Sequence, residues 1–142
     1  NVFTASAQEL SEYQKKYQVH INPTTYPVKI DGVLDEPCWQ NSEVVTQFNK
    51  KYPNDFGEAK YKTETKFSYD DKNIYFAFKV YDSTISIIRS LKRDVGHDGS
   101  DGVAVILDPT NQKTNGFFFI VSEANVQSED QLTGYMEMKP TF

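Results

Sequence analysis

Apolar and polar positions alternate most cleanly between Thr63 and Asp82. Thr63, Thr65, Phe67 and Tyr69 fall on one side of an extended chain, and Glu64, Lys66 and Ser68 on the other. That is the period of a half-solvated antiparallel strand. Asp70-Asp71-Lys72-Asn73 supplies turn residues. Ile74–Asp82 then resumes the alternation, with Ile74, Phe76, Phe78 and Val80 opposite Tyr75, Ala77, Lys79 and Tyr81. The two runs predict a β-hairpin. Gly102–Asp108 and Gly116–Ser122 behave differently, because both of their faces are apolar (Val103 to Leu107 and Phe117 to Val121). Such strands are expected at the centre of a sheet covered on both sides. Asp108-Pro109-Thr110-Asn111 and Asn115-Gly116 are turn signals between them.

Weaker patterns flank these strands. Residues 8–24 are polar, lack an apolar stripe and predict a loose arm with at most one helical turn around Glu9–Tyr17. Pro27–Ile30 is a short strand candidate, closed by the turn dipeptide Asp31-Gly32. Asp35-Glu-Pro-Cys-Trp39 predicts one helical turn, with Asp35 as N-cap, Pro37 in the first turn and Trp39 tucked beneath it. Val44–Phe48 is another strand candidate, and residues 50–62, with Pro53, Asn54, Asp55 and Gly57, form an irregular loop. Tyr135–Lys139 completes at least six strands with no long amphipathic helix. The pattern predicts an all-β fold, an antiparallel β-sandwich.

Composition agrees. Aromatic residues make up 14% of the 142, as 10 Phe, 9 Tyr and 1 Trp. Phe and Tyr favour pleated, half-buried surfaces. The net charge is −5 and no basic run exceeds two residues, which argues against a nucleic-acid or anionic-membrane surface. No apolar stretch approaches the roughly 18 residues of a membrane helix. A single cysteine excludes an internal disulfide, and with two histidines it does not suffice for the usual four-ligand zinc site. Cys38, beside Trp39, is expected as a small buried apolar residue. Ala5-Ser6-Ala7 has the small-x-small form of a signal-peptidase site. On that reading residues 1–24 are the tail of an export signal followed by a flexible arm, and residues 25–142 are the sandwich domain.

The order of motifs carries more. Ile30-Asp-Gly-Val-Leu-Asp-Glu-Pro-Cys-Trp39 is followed by Pro53, Gly57, Ala59, Thr63, Tyr69-Asp70-Asp71 and Ile74-Tyr75. Then come Arg93-Asp94, Asp101, Leu107-Asp108-Pro109, Asn115-Gly116-Phe117, Val126-Gln127 and Asp130. This series resembles carbohydrate-binding module family 9. More narrowly, it looks like the version at the N-terminus of large bacterial envelope proteins of unknown function that carry a predicted outer-membrane barrel. The likeness spans about residues 27–142. It implies a β-sandwich that holds a polysaccharide or oligosaccharide without catalysis, in an exported protein of the periplasm, outer membrane or cell surface. The alternative is a positioning domain that has lost sugar binding and contacts an envelope protein partner.

Three departures bear on that choice. The family's first stacking tryptophan falls approximately at His97-Asp98, its acidic partner near Ala104, and an arginine near Ile120. Tyr135–Pro140 looks like a later family strand, and only Gln131–Gly134 separate it from the Val-Gln-x-x-Asp region. A segment is therefore expected to be missing near residues 131–135, with further strands after Phe142.

The remaining polar cluster is Arg93, Asp94, His97, Asp98 and Asp101, in a glycine-bearing loop ahead of a buried strand. Arg93 suits donation to sugar hydroxyls or carboxylates and the aspartates suit acceptance. The structural alternative pairs Arg93 with one aspartate and leaves the others capping turns. The same carboxylates are a candidate for structural calcium, although their spacing is not that of an EF-hand; no other cofactor is expected. Tyr13, Tyr17, Tyr26, Tyr52, Phe56 and Tyr61 are candidates for a stacking platform or a protein-contact patch. No nucleophile elbow, phosphate loop or metal-ligand spacing is present, and no enzymatic activity is expected.

Overall fold

The computed structural model describes residues 15, 17–50, 57–84, 91, 93 and 101–134. The chain divides into two compact units, Asn1–Asp82 and Ser83–Phe142. Among the described residues the fold is nearly all β, with two three-stranded sheets and almost no helix, in keeping with the predicted β-sandwich class.

The first unit holds β1 (Asn22–Pro23), α1 (Pro37–Asn41), β2 (Thr63–Tyr69) and β3 (Ile74–Val80), with sheet order β1-β2-β3. The predicted hairpin is β2–β3, in register from Thr63↔Val80 to Tyr69↔Ile74. Its turn closes on Asp70, whose Oδ1 accepts the N–H groups of Lys72 and Asn73, both at 2.8 Å. Tyr75 adds a hydroxyl donor to Oδ2 at 2.6 Å. An aspartate at the first position thus replaces backbone partners that the tight turn lacks.

β1 lies within the predicted loose arm and pairs parallel with β2, Asn22↔Ser68 and Pro23↔Tyr69. Proline is tolerated there because the strand is an edge. Two short strand candidates do not form strands. Around Pro27–Ile30, Val28 packs against the buried cluster, Lys29 donates its N–H to Glu36 at 2.9 Å, and Ile30 is 86% exposed. Around Val44–Phe48 only isolated bridges occur, Val45↔Thr65 and Asn49↔Glu58. The Asp31-Gly32 turn is present, with Gly32 at φ 82 and Val33 donating to Asp31 Oδ1 at 2.9 Å.

α1 begins one residue later than expected. Glu36, not Asp35, is the N-cap, with Pro37 in the first turn. The Glu36 carboxylate makes no cap bond. Its longer side chain accepts from Lys29 N–H and from the Trp39 indole, each at 2.9 Å. Those donors, the backbone one first, hold its carboxyl below the usual carboxylate range. Ser42 ends the helix, its hydroxyl reaching Cys38 O at 2.7 Å and Phe67 O at 3.0 Å. Lys66 Nζ donates to Trp39 O from β2. The buried apolar cluster is Cys38, Trp39 and Ala77, with Val28 and Tyr75 against it, so Cys38 and Trp39 sit as expected. This cluster occupies the face of Lys66↔Ala77 and Ser68↔Tyr75, the more polar side of the alternation. Helix capping and the Ser68 hydroxyl bond to Asn22 O at 3.0 Å account for the polar groups covered there. Leu34, in the motif that leads into α1, is 38% exposed.

The second unit holds β4 (Gly102–Leu107), β5 (Asn115–Ser122) and β6 (Gln127–Thr133), antiparallel in the order β4-β5-β6. Among the described residues β5 is central as predicted, whereas β4 pairs on one side only, with β5. Neither is fully covered: Ile106, Phe117, Phe119 and Val121 are 36, 44, 41 and 38% exposed. Gly102 is required by close approach, since a Cβ there would lie 2.7 Å from Val121 O. The β4–β5 turn is built on Asp108, which accepts from Lys113 N at 2.7 Å and from Thr110 and Gln112. These donors, Lys113 foremost, hold its carboxyl below the usual range. β6 was not foreseen. Its run Gln-Ser-Glu-Asp-Gln has almost no apolar residue to signal a strand. The expected strand at Tyr135–Lys139 lies outside the described residues.

Candidate functional site

Of the five residues singled out by sequence, Asp94, His97 and Asp98 lie outside the described residues. Asp101 is exposed, and its carbonyl accepts Glu123 N–H at 3.0 Å. That bond extends the β4–β5 ladder one step beyond Gly102↔Ser122 and fixes the loop's exit. Arg93 reaches across to β6. Its Nη2 lies 3.1 Å from Glu129 Oε1 and its Nη1 lies 3.5 Å from Gln127 Oε1. The ion pair is open to water, with the two side chains 54% and 61% exposed. In that setting it contributes about 0–1 kcal/mol to stability, so its groups can be redirected to a ligand cheaply. Arg93 thus pairs with Glu129, on a strand the sequence did not reveal; Asp94, an expected partner, lies outside the described residues.

The register shows which side chains Arg93 joins. Directly opposed residues of antiparallel strands share a face. One face of the sheet therefore carries three rows: Leu107–Phe117–Gln131, Val105–Phe119–Glu129 and Val103–Val121–Gln127. Each runs from an aliphatic residue on β4, through an exposed apolar residue on β5, to a hydrogen-bonding residue on β6. Arg93 binds the β6 end of two rows. Two phenyl rings thus stand beside two carboxamides, a carboxylate and a guanidinium. Aromatic faces take apolar C–H surface. Carboxamides donate and accept, the carboxylate accepts and the guanidinium donates.

Sequence reasoning assigned Phe117 and Phe119 to a covered core and did not single out Gln127, Glu129 or Gln131 as a group. The alternation of long polar residues at Gln127, Glu129 and Gln131 was the available signal. Among the predicted platform residues, Tyr17 and Tyr26 are 40% and 61% exposed, and Tyr17 accepts a 3.4 Å bond from Asn49. Tyr61 is half-buried with Lys60 over its ring. Tyr13, Tyr52 and Phe56 lie outside the described residues. Among the described residues no three His, Cys, Asp or Glu side chains gather as metal ligands. None of the described helices is long and apolar enough to cross a membrane.

Comparison with curated proteins and with solved structures finds no match. Residues 30–138 match the family described as carbohydrate family 9 binding domain-like. That span takes in the Ile30–Trp39 opening, the β2–β3 hairpin and all of β4, β5 and β6. The chain belongs to the carbohydrate family 9 binding domain-like family.

Proposed function

We propose that this domain binds a polysaccharide or oligosaccharide without catalysis, on the β5–β6 face beside Arg93, within an exported envelope protein. The supporting observation is the register of that face: Phe117 and Phe119, 44% and 41% exposed, stand in line with Gln131 and Glu129. A pyranose offers the same division, an apolar C–H face and a polar edge. Arg93, Gln127, Glu129 and Gln131 meet the edge; Asp94, His97 and Asp98, which separate Arg93 from Asp101 in sequence, lie outside the described residues. Family membership supports the ligand class, and the Ala5-Ser6-Ala7 triplet supports export.

A second reading, a positioning domain that contacts an envelope protein partner, has its own support. The residues at the family's sugar-contacting positions are replaced at His97-Asp98, Ala104 and Ile120. Titration calorimetry against xylan, β-glucans and host glycans separates the two. Under the first reading at least one glycan binds, and Phe119→Ala weakens it by roughly tenfold or more, the scale of a lost aromatic contact of ~1–3 kcal/mol. Absence of heat with every glycan, from a folded protein, would overturn sugar binding and favour the second reading.

A further inference from the structure

At the end of the β2–β3 hairpin remote from its turn, tyrosine and lysine side chains gather on one surface. Tyr81 N–H donates to Lys62 O at 2.9 Å, one step beyond Thr63↔Val80. Lys62 and Tyr81 are therefore opposed, on the face that carries Glu64↔Lys79. The ammonium groups of Lys62 and Lys79 lie 5.0 and 5.1 Å from the centre of the Tyr81 ring. Just before Lys62 in the chain, Lys60 lies 4.5 Å from the centre of the Tyr61 ring. Glu64 holds this group together, 2.6 Å from Lys62 Nζ and accepting the Tyr81 hydroxyl at 3.0 Å.

The charge balance of this patch differs from that of the chain. Among the described residues, Lys60, Lys62 and Lys79 stand near two carboxylates, Glu64 and Asp82, in a protein whose net charge is −5. Two ammonium groups share one ring and one nearby carboxylate, and like charges held this close repel. Hydrogen bonds to Tyr61 and to Glu64, respectively, favour the charged forms of Lys60 and Lys62. Tyr81 remains 44% exposed and the Lys62 side chain 60% exposed. An added carboxylate relieves the repulsion, and the tyrosine edge and hydroxyl offer contact to the sugar ring that bears it.

We propose that the Tyr61–Tyr81 end of this hairpin is a second glycan contact, selective for the carboxylates of uronic-acid polysaccharides. The polymer class rests on the carbohydrate reading above; the preference for charge rests on the lysine–tyrosine geometry.

The test uses the full chain and affinity electrophoresis through polygalacturonate and through the same polymer after carboxyl reduction. The charged polymer should retard the protein at least about tenfold more strongly, with an effect that falls as salt rises. Lys79→Gln should remove most of that difference, and Lys79→Arg should keep it. Equal retardation by the two polymers, equal retardation by polyglutamate, or an unaffected Lys79→Gln variant would each overturn the proposal. Phe119→Ala, run in parallel on neutral glycans, reads the β5–β6 face separately. Loss of neutral binding with retained polygalacturonate binding, or the reverse, therefore identifies which site has failed.

Discussion

Replacing Thr65 by valine should stabilise the protein. Thr65 sits in the middle of β2, opposite Phe78 on β3 and bridged to Val45 on its other edge. Its backbone is satisfied, with N–H and C=O each exchanging a 2.9 Å bond with Val45. Its side chain is 2% exposed, and among the described residues its hydroxyl is the buried side-chain polar atom without a hydrogen-bond partner. A buried hydroxyl left unpaired costs about 1–3 kcal/mol. Valine keeps the β-branch that suits a strand and replaces the oxygen with a methyl group, which gains up to ~0.8 kcal/mol on burial. Part of this is offset by the larger methyl in a tight site. The net expectation is about 1–2 kcal/mol of added stability, or roughly 4–8 °C in Tm per kcal/mol for a unit of this size. Urea unfolding followed by Trp39 emission is the direct assay, because Trp39 is the sole tryptophan and lies in the same unit. The urea midpoint should rise with an unchanged slope. An unchanged or lowered midpoint would refute the reasoning, since the hydroxyl would then be hydrogen-bonded.

Two further predictions concern the same unit. Trp39→Ala removes the largest member of the buried cluster, 3% exposed, and should cost about 3–5 kcal/mol. Trp39→Phe should cost less, leaving Glu36 without its indole donor, and circular dichroism during urea unfolding reads both. Asp70 is held down to about 2 from an ordinary 3.8, first by the Tyr75 hydroxyl and then by the Lys72 and Asn73 N–H groups. Its folded pKa is depressed, so its stabilising effect is complete above the ordinary value and is lost as pH falls through about 2. Thermal melts across that window should show a shallower acid limb for Asp70→Asn than for the parent protein.

How legible these features were depends on where each is encoded. The β2–β3 hairpin was plain because alternation and turn chemistry agree within one short stretch, and Asp70 closes the turn by local hydrogen bonds. β5 was legible as a central strand from its apolar run. β1 and β6 were not: Asn22–Pro23 and Gln127–Thr133 are held by pairing with partners 46 and 6 residues away along the register, Ser68 and Val121, and not by apolar pattern. Burial on the more polar face of the hairpin has a similar origin. Trp39, distant in sequence, packs with Ala77 and Tyr75 there, and a periodicity count cannot see that. In the candidate site, Arg93 and Asp101 were singled out from their residue types and loop setting. The partner of Arg93, Glu129, was hidden with β6.

The ion pair at the rim distinguishes what kind of ligand the β5–β6 face can accept. Phe117, Phe119 and Val121 would be buried by either a protein or a glycan, and the apolar gain is similar per unit area. Arg93 and Glu129 would not fare equally. An apolar protein surface laid over them would remove water from two charges and return no hydrogen bonds, and desolvation can exceed the attraction between them. Sugar hydroxyls donate to a carboxylate and accept from a guanidinium, so they replace the lost water bond for bond. The half-exposed phenyl rows supply contact area to any partner, whereas the open Arg93–Glu129 pair, 3.1 Å apart, favours one rich in hydroxyl groups.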